Sequence, residues 1–100
     1  MRELVEHILA ATQPERIILF GSRARGQEGP RSDFDVLVIQ DSKEPRYKRA
    51  GLIYRALAAF PAEVDVVVHT PSEVEEWRGV PEAFVTTAVR EGKTLYAREG

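Results

Sequence analysis

The chain contains no cysteine, which excludes a disulfide framework and any thiolate-held metal. Its two histidines, His7 and His69, stand alone in the sequence, and neither is expected to ligate a metal. No segment approaches the ~20 consecutive apolar residues of a membrane span. The N-terminal stretch Met1-Arg2-Glu3-Leu4-Val5-Glu6 carries acids where a secretory signal needs a basic start and an apolar run. A cytoplasmic protein is the expectation. Net charge is −2, so the chain lacks the electrostatic footprint of a nucleic-acid binder. Aspartate is the informative scarcity. Of 16 acidic residues only Asp33, Asp35, Asp41 and Asp65 are aspartates.

What is present describes one ordinary globular unit. One hundred residues, 43% of them hydrophobic and 30% charged, suit a single domain over 1–100 with a modest core. Leu4, Val5, Ile8 and Leu9 share a helical face across residues 3–12, closed by Pro14. Arg16-Ile17-Ile18-Leu19-Phe20 is short, branched and apolar between Pro14 and Gly21, and reads as a buried strand. Residues 21–32 hold Gly21, Gly26, Gly29 and Pro30 and read as loop, with room for one helical turn from Ser22 to Arg25. Residues 33–40 form a second strand. Tyr47 to Phe60 is the clearest helix, with Leu52, Ile53, Ala56, Leu57 and Phe60 as its stripe and Pro61 after it. Residues 63–70 form a third strand. A short helix runs from Pro71 through Trp77, another follows Pro81 with Phe84, Val85, Ala88 and Val89 as its stripe, and Gly92 stops it. Thr94 to Ala97 closes as a short strand. This order predicts an α/β (α+β) domain: a small mixed sheet with helices mainly on one face.

Three of the four aspartates fall into a pattern. Residues i and i+2 of a strand point to one face, so Asp33 and Asp35 project together at the start of the second strand. Asp65 lies near the start of the third. A helical crossover between these strands makes them parallel neighbours, which brings their starting ends side by side. If the first strand runs antiparallel to the second, Gly21-Ser22 meets the same cluster. Gathered carboxylates repel one another, and cations offset that. Hard oxygen donors without sulfur suit Mg²⁺ or Mn²⁺. Two such ions roughly 4 Å apart clamp the attacking and leaving oxygens of a displacement at phosphorus. Gly21 gives backbone access to phosphate, Ser22 adds a hydroxyl, and Arg23 and Arg25 lie in the same loop to neutralise a triphosphate.

Each of these residues has a plainer reading. A lone Asp-x-Asp is as often a pair of turn acids, and Ser22 also serves as a helix cap. The spacing to Gly21-Ser22 and the third acid decide for the site. An acid in the otherwise apolar run Glu63-Val64-Asp65-Val66-Val67-Val68 is costly without a role. An aspartyl-phosphate motif is rejected, because Pro30-Arg31-Ser32 precedes the first Asp and Leu37 stands where Thr or Val is needed. Arg23, Tyr47 and Arg49 read as solvated, and Trp77 as core or interface. Leu37, Ile39 and Val67 continue the acidic face as an apolar surface with few helices left for it. A partner chain or a second copy is expected to cover it.

The string GSRARGQEGPRSDFDVLV resembles the signature of the DNA polymerase β nucleotidyltransferase superfamily: Gly-Ser, about ten residues, Asp-x-Asp, then a third Asp on a later strand. On a chain this short the wording resembles the minimal nucleotidyltransferase group. The resemblance implies that Asp33, Asp35 and Asp65 are catalytic and hold two Mg²⁺ ions. Gly21 and Ser22 would hold the β- and γ-phosphates of an NTP, with ATP the first expectation, and Arg25 matches the loop arginine. It also implies a HEPN-domain partner, with transfer of AMP to a tyrosine of that partner in a toxin–antitoxin pair. Two other roles remain open at this point: a non-catalytic antitoxin or regulatory binding subunit of such a complex, and transfer to a small molecule.

Overall fold

The computed structural model describes residues 2–20, 34–80 and 84–98, the side chains of Arg46 and Phe84 excepted. Its helices are α1 (Arg2–Ala11), α2 (Gly51–Ala56), α3 (Pro71–Trp77) and α4 (Phe84–Glu91). Its strands are β1 (Arg16–Phe20), β2 (Phe34–Ile39), β3 (Val64–His69) and β4 (Lys93–Ala97). Strand order is β3-β2-β1-β4. β2 and β3 are parallel, and β1 is antiparallel to both β2 and β4. The result is the mixed α+β sheet expected from the order of elements. Among the described residues no helix is long and apolar enough to cross a membrane.

Period-two alternation sorts the strands onto two faces. Ile17, Leu19, Val36, Val38, Val64, Val66 and Val68 point to one side, where Leu4 and Ile8 of α1 and Ile53 and Leu57 around α2 complete the larger core. Ile18, Leu37 and Ile39 point to the other, against Ala88 of α4, with Phe20, Val67, Val74 and Val89 at the margins. The apolar face expected to await a partner is therefore covered by α3 and α4 of the same chain. Leu37 and Ile18 are fully buried there. Gly92 permits this docking: a Cβ would lie 2.5 Å from the Ile18 methyl and 2.8 Å from the Leu19 carbonyl oxygen. Only glycine lets the end of α4 pass so close to β1 before the chain enters β4.

The long crossover helix is broken into pieces. A 3₁₀ turn spans Arg46–Lys48, α2 covers Gly51–Ala56, and a second 3₁₀ turn spans Leu57–Ala59. The helix starts on Ala50 with no side-chain cap and on Gly51, both weak nucleators. Ile53 and Leu57 are buried as the stripe requires, but Leu52 is 63% exposed and lies off the core. The crossover still returns the chain parallel to β2, which is what the site depends on.

Candidate functional site

Register places the two described acids side by side. Across the sheet, Phe20 of β1 pairs with Asp35 of β2, and Asp35 pairs with Asp65 of β3. These three residues form one row at one end of the sheet. Neighbouring strands lie about 5 Å apart, so two carboxylates at paired positions on one face are within reach of a single cation. Asp35 is half-buried and Asp65 is exposed. Behind them on the same face lies the dry cluster of Ile18, Leu37, Ile39 and Ala88. The acids thus sit where a packed apolar floor meets solvent.

Two like charges facing each other across adjacent strands destabilise a sheet. The Asp65 side chain makes no hydrogen bond or ion pair among the described residues. No group of three acids, histidines or cysteines able to hold a metal ion occurs among the described residues either. The described part of the site therefore contributes two carboxylates, and their hard oxygens fit a Mg²⁺-class ion rather than a soft one.

Gly21, Ser22, Arg25 and Asp33 lie outside the described residues, as does the turn considered for Ser22–Arg25. β1 ends at Phe20, one residue before Gly21, and β2 begins at Phe34, one residue after Asp33. The condition set for Gly21-Ser22 to meet the acids is that β1 run antiparallel to β2, and it does.

A polar network at the opposite end of β3 was not legible from periodicity. Arg49, taken from the sequence as solvated, has a side chain only 9% exposed. Its Nη1 donates to Glu73 Oε1 at 2.7 Å and its Nε to the Glu44 carbonyl at 2.9 Å. The same Glu73 oxygen lies 3.2 Å from His69 Nδ1 and accepts from the Thr70 amide at 2.9 Å. The Arg49 guanidinium holds the Glu73 carboxyl down at about 2, from an ordinary 4.5, with the Thr70 amide and His69 adding to the effect against burial. Thr70 and Glu73 also form a reciprocal capping box at the start of α3. That signal was in the sequence: Thr70-x-x-Glu73 before a helix. Trp77, half expected in the core, is 41% exposed, while Tyr47 is solvated as expected.

Comparison with known proteins places these features in context. Residues 1–94 match the family described as "Nucleotidyltransferase domain". A crystal structure from Sulfolobus solfataricus, provisionally assigned as a nucleotidyltransferase, is similar with a TM-score of 0.64 and 25% sequence identity. The match covers 97% of this chain and 77% of that one. No curated protein matches the sequence.

Proposed function

This chain belongs to the nucleotidyltransferase domain family, and from that premise we propose that it transfers a nucleoside monophosphate from an NTP, ATP first, to a hydroxyl acceptor on a partner protein in the cytoplasm. Asp33, Asp35 and Asp65 would hold Mg²⁺, or Mn²⁺ in its place, and a bound ion would supply charge stabilisation and a lowered barrier to deprotonating the acceptor. The Gly21 backbone and the Ser22 hydroxyl hold the β- and γ-phosphates, and Arg25 offsets their charge. The acceptor oxygen forms a bond to the α-phosphorus, the bond to the bridging oxygen breaks, and pyrophosphate leaves. Asp65, the more exposed of the two described acids, would receive the acceptor's proton.

The observation that carries the reading is the pairing of Asp35 with Asp65 in a parallel ladder, with β1 antiparallel beside them. Like charges at paired positions of adjacent strands repel, and a bound cation would relieve that repulsion. The resemblance to minimal nucleotidyltransferases makes a tyrosine of a HEPN-domain protein the acceptor to try first. Incubation with Mg²⁺ and each α-labelled NTP, with and without the product of the neighbouring gene, tests the reading. Label on the neighbour, dependent on divalent ion, is expected. Stoichiometric binding of the neighbour with no label on any acceptor would replace the enzyme with a non-catalytic antitoxin subunit.

A further inference from the structure

On the same sheet face as the acids, but at the opposite end of β1, lies a cavity of about 360 Å³ between α3, α4 and the start of β1. Among the described residues its walls carry three guanidinium groups, Arg16, Arg78 and Arg90, against one carboxylate, Glu75. Val74 and Val89 supply an apolar wall, beside Thr86. The chain as a whole is negative, at −2, so a cavity with three positive groups and one negative group inverts the sign of its surroundings. Arg16 and Phe20 are four residues apart on β1, about 13 Å at strand rise. On that face the Ile18–Leu37 pair lies between the Arg16 row and the acid row.

We propose that this cavity is a second ligand site, for a small phosphate monoester with an apolar body. Among the described residues each arginine is held only by an exchangeable partner. Arg78 meets Glu75 at 3.1 Å with both side chains more than two-thirds exposed. Arg90 meets Glu91 at 3.1 Å, also in the open. Arg16 donates to a neutral hydroxyl, Thr94 Oγ1, at 3.1 Å. Solvent-exposed pairs of this kind are weak, so an incoming dianion can take the guanidiniums without breaking a buried bridge. Planar guanidiniums match phosphate oxygens bidentately, and three of them outnumber the two carboxylates, Glu75 and Glu91, that pair with them. The volume is at the small end of ligand pockets, and Val74 and Val89 give the organic part of the ester a surface to bury. The site takes its ligand without a metal, which separates it from nucleotide held at the acids.

The test is a titration of the ¹⁵N-labelled protein with phenyl phosphate, inorganic phosphate and phenol, in EDTA at low salt. Saturable amide shifts confined to Arg16 and to residues 74–78 and 86–90 are expected, tightest for phenyl phosphate, weaker for phosphate and absent for phenol. The double variant Arg78→Gln, Arg90→Gln should lower phenyl phosphate affinity about tenfold or more. Arg2→Gln, which removes a charge from an exposed position on α1, should leave it unchanged. No saturable shift, or equal weakening by Arg2→Gln, overturns the proposal, as does a double variant that binds like the parent. Loss of nucleotidyl transfer leaves these readings untouched, since no metal or NTP is present.

Discussion

β2 and β3 present paired side chains at both ends of one ladder, and the two ends treat charge in opposite ways. At the far end, where Ile39 pairs with His69, Glu73 is enclosed by Arg49, His69 and the Thr70 amide. Its charge is matched within the chain. At the near end Asp35 pairs with Asp65, and the described surroundings of Asp65 supply no cation. A charge compensated from inside fixes structure. An acid such as Asp65, with no countercharge among the described residues, is open to one from outside. Burial alone does not separate structural from functional acids; the source of the countercharge does.

That contrast can be broken from either end. The largest effect is expected at the near end, where Asp35→Asn and Asp65→Asn should each reduce nucleotidyl transfer about a thousandfold. Circular dichroism of both variants should match the parent, because removing one of two facing like charges does not unfold a sheet. A variant that kept its activity would remove that acid from the site. At the far end Glu73→Gln should do the reverse, leaving transfer intact while destabilising the fold by about 3 kcal/mol in urea unfolding, since it strands a buried guanidinium.

The acid limb of stability sharpens the same point. Glu73 is depressed from 4.5 to about 2, so its contribution is whole above pH 4.5 and is lost as the pH falls toward 2. Urea midpoints should therefore drop across that window by an amount worth about 3 kcal/mol, and Glu73→Gln should flatten the drop. An unchanged slope in the variant would assign acid sensitivity elsewhere.

Divalent ions should act only at the near end. Mg²⁺ or Mn²⁺ at about a hundred times its dissociation constant should stabilise the protein by about 2.7 kcal/mol. Asp35→Asn should abolish that gain, and Glu73→Gln should retain it. The smallest expected effect lies on the outer edge of β3. There the Tyr54 hydroxyl accepts from the Val66 amide at 2.8 Å, occupying a donor that would otherwise face solvent or another strand. Tyr54→Phe should cost about 1 kcal/mol and speed amide exchange at Val66 without altering activity.

Much of the fold was legible because strands and amphipathic helices announce themselves by period. β1 was read to the residue, and β2 and β3 to within one residue at each end. The helix over residues 47–60 was overextended at its C-terminal end because its stripe continues through Leu57, where the backbone is already 3₁₀. The stripe records which side is buried, and a 3₁₀ turn buries nearly the same side. Arg49 was misread for a different reason. Its partner Glu73 lies 24 positions away, and no local pattern marks a salt bridge between a loop and a helix start. The covered second face was missed because α3 and α4 are short, and their reach depends on how closely α4 passes β1 at Gly92.

By itself the sequence determined the chemistry at stake. It holds few aspartates, spaced so that strand period aligns Asp33 with Asp35, and a crossover between strands that makes β2 and β3 parallel. Period and connection length are local properties, so they can be read from one chain. Tertiary structure alone decided that Asp65 stands level with Asp35 rather than two residues off, and that β1 runs antiparallel toward them. It also decided that Glu73 is neutralised within the chain while Asp65 meets no cation among the described residues. Register and charge compensation depend on which faces pack together, and only the folded sheet fixes that.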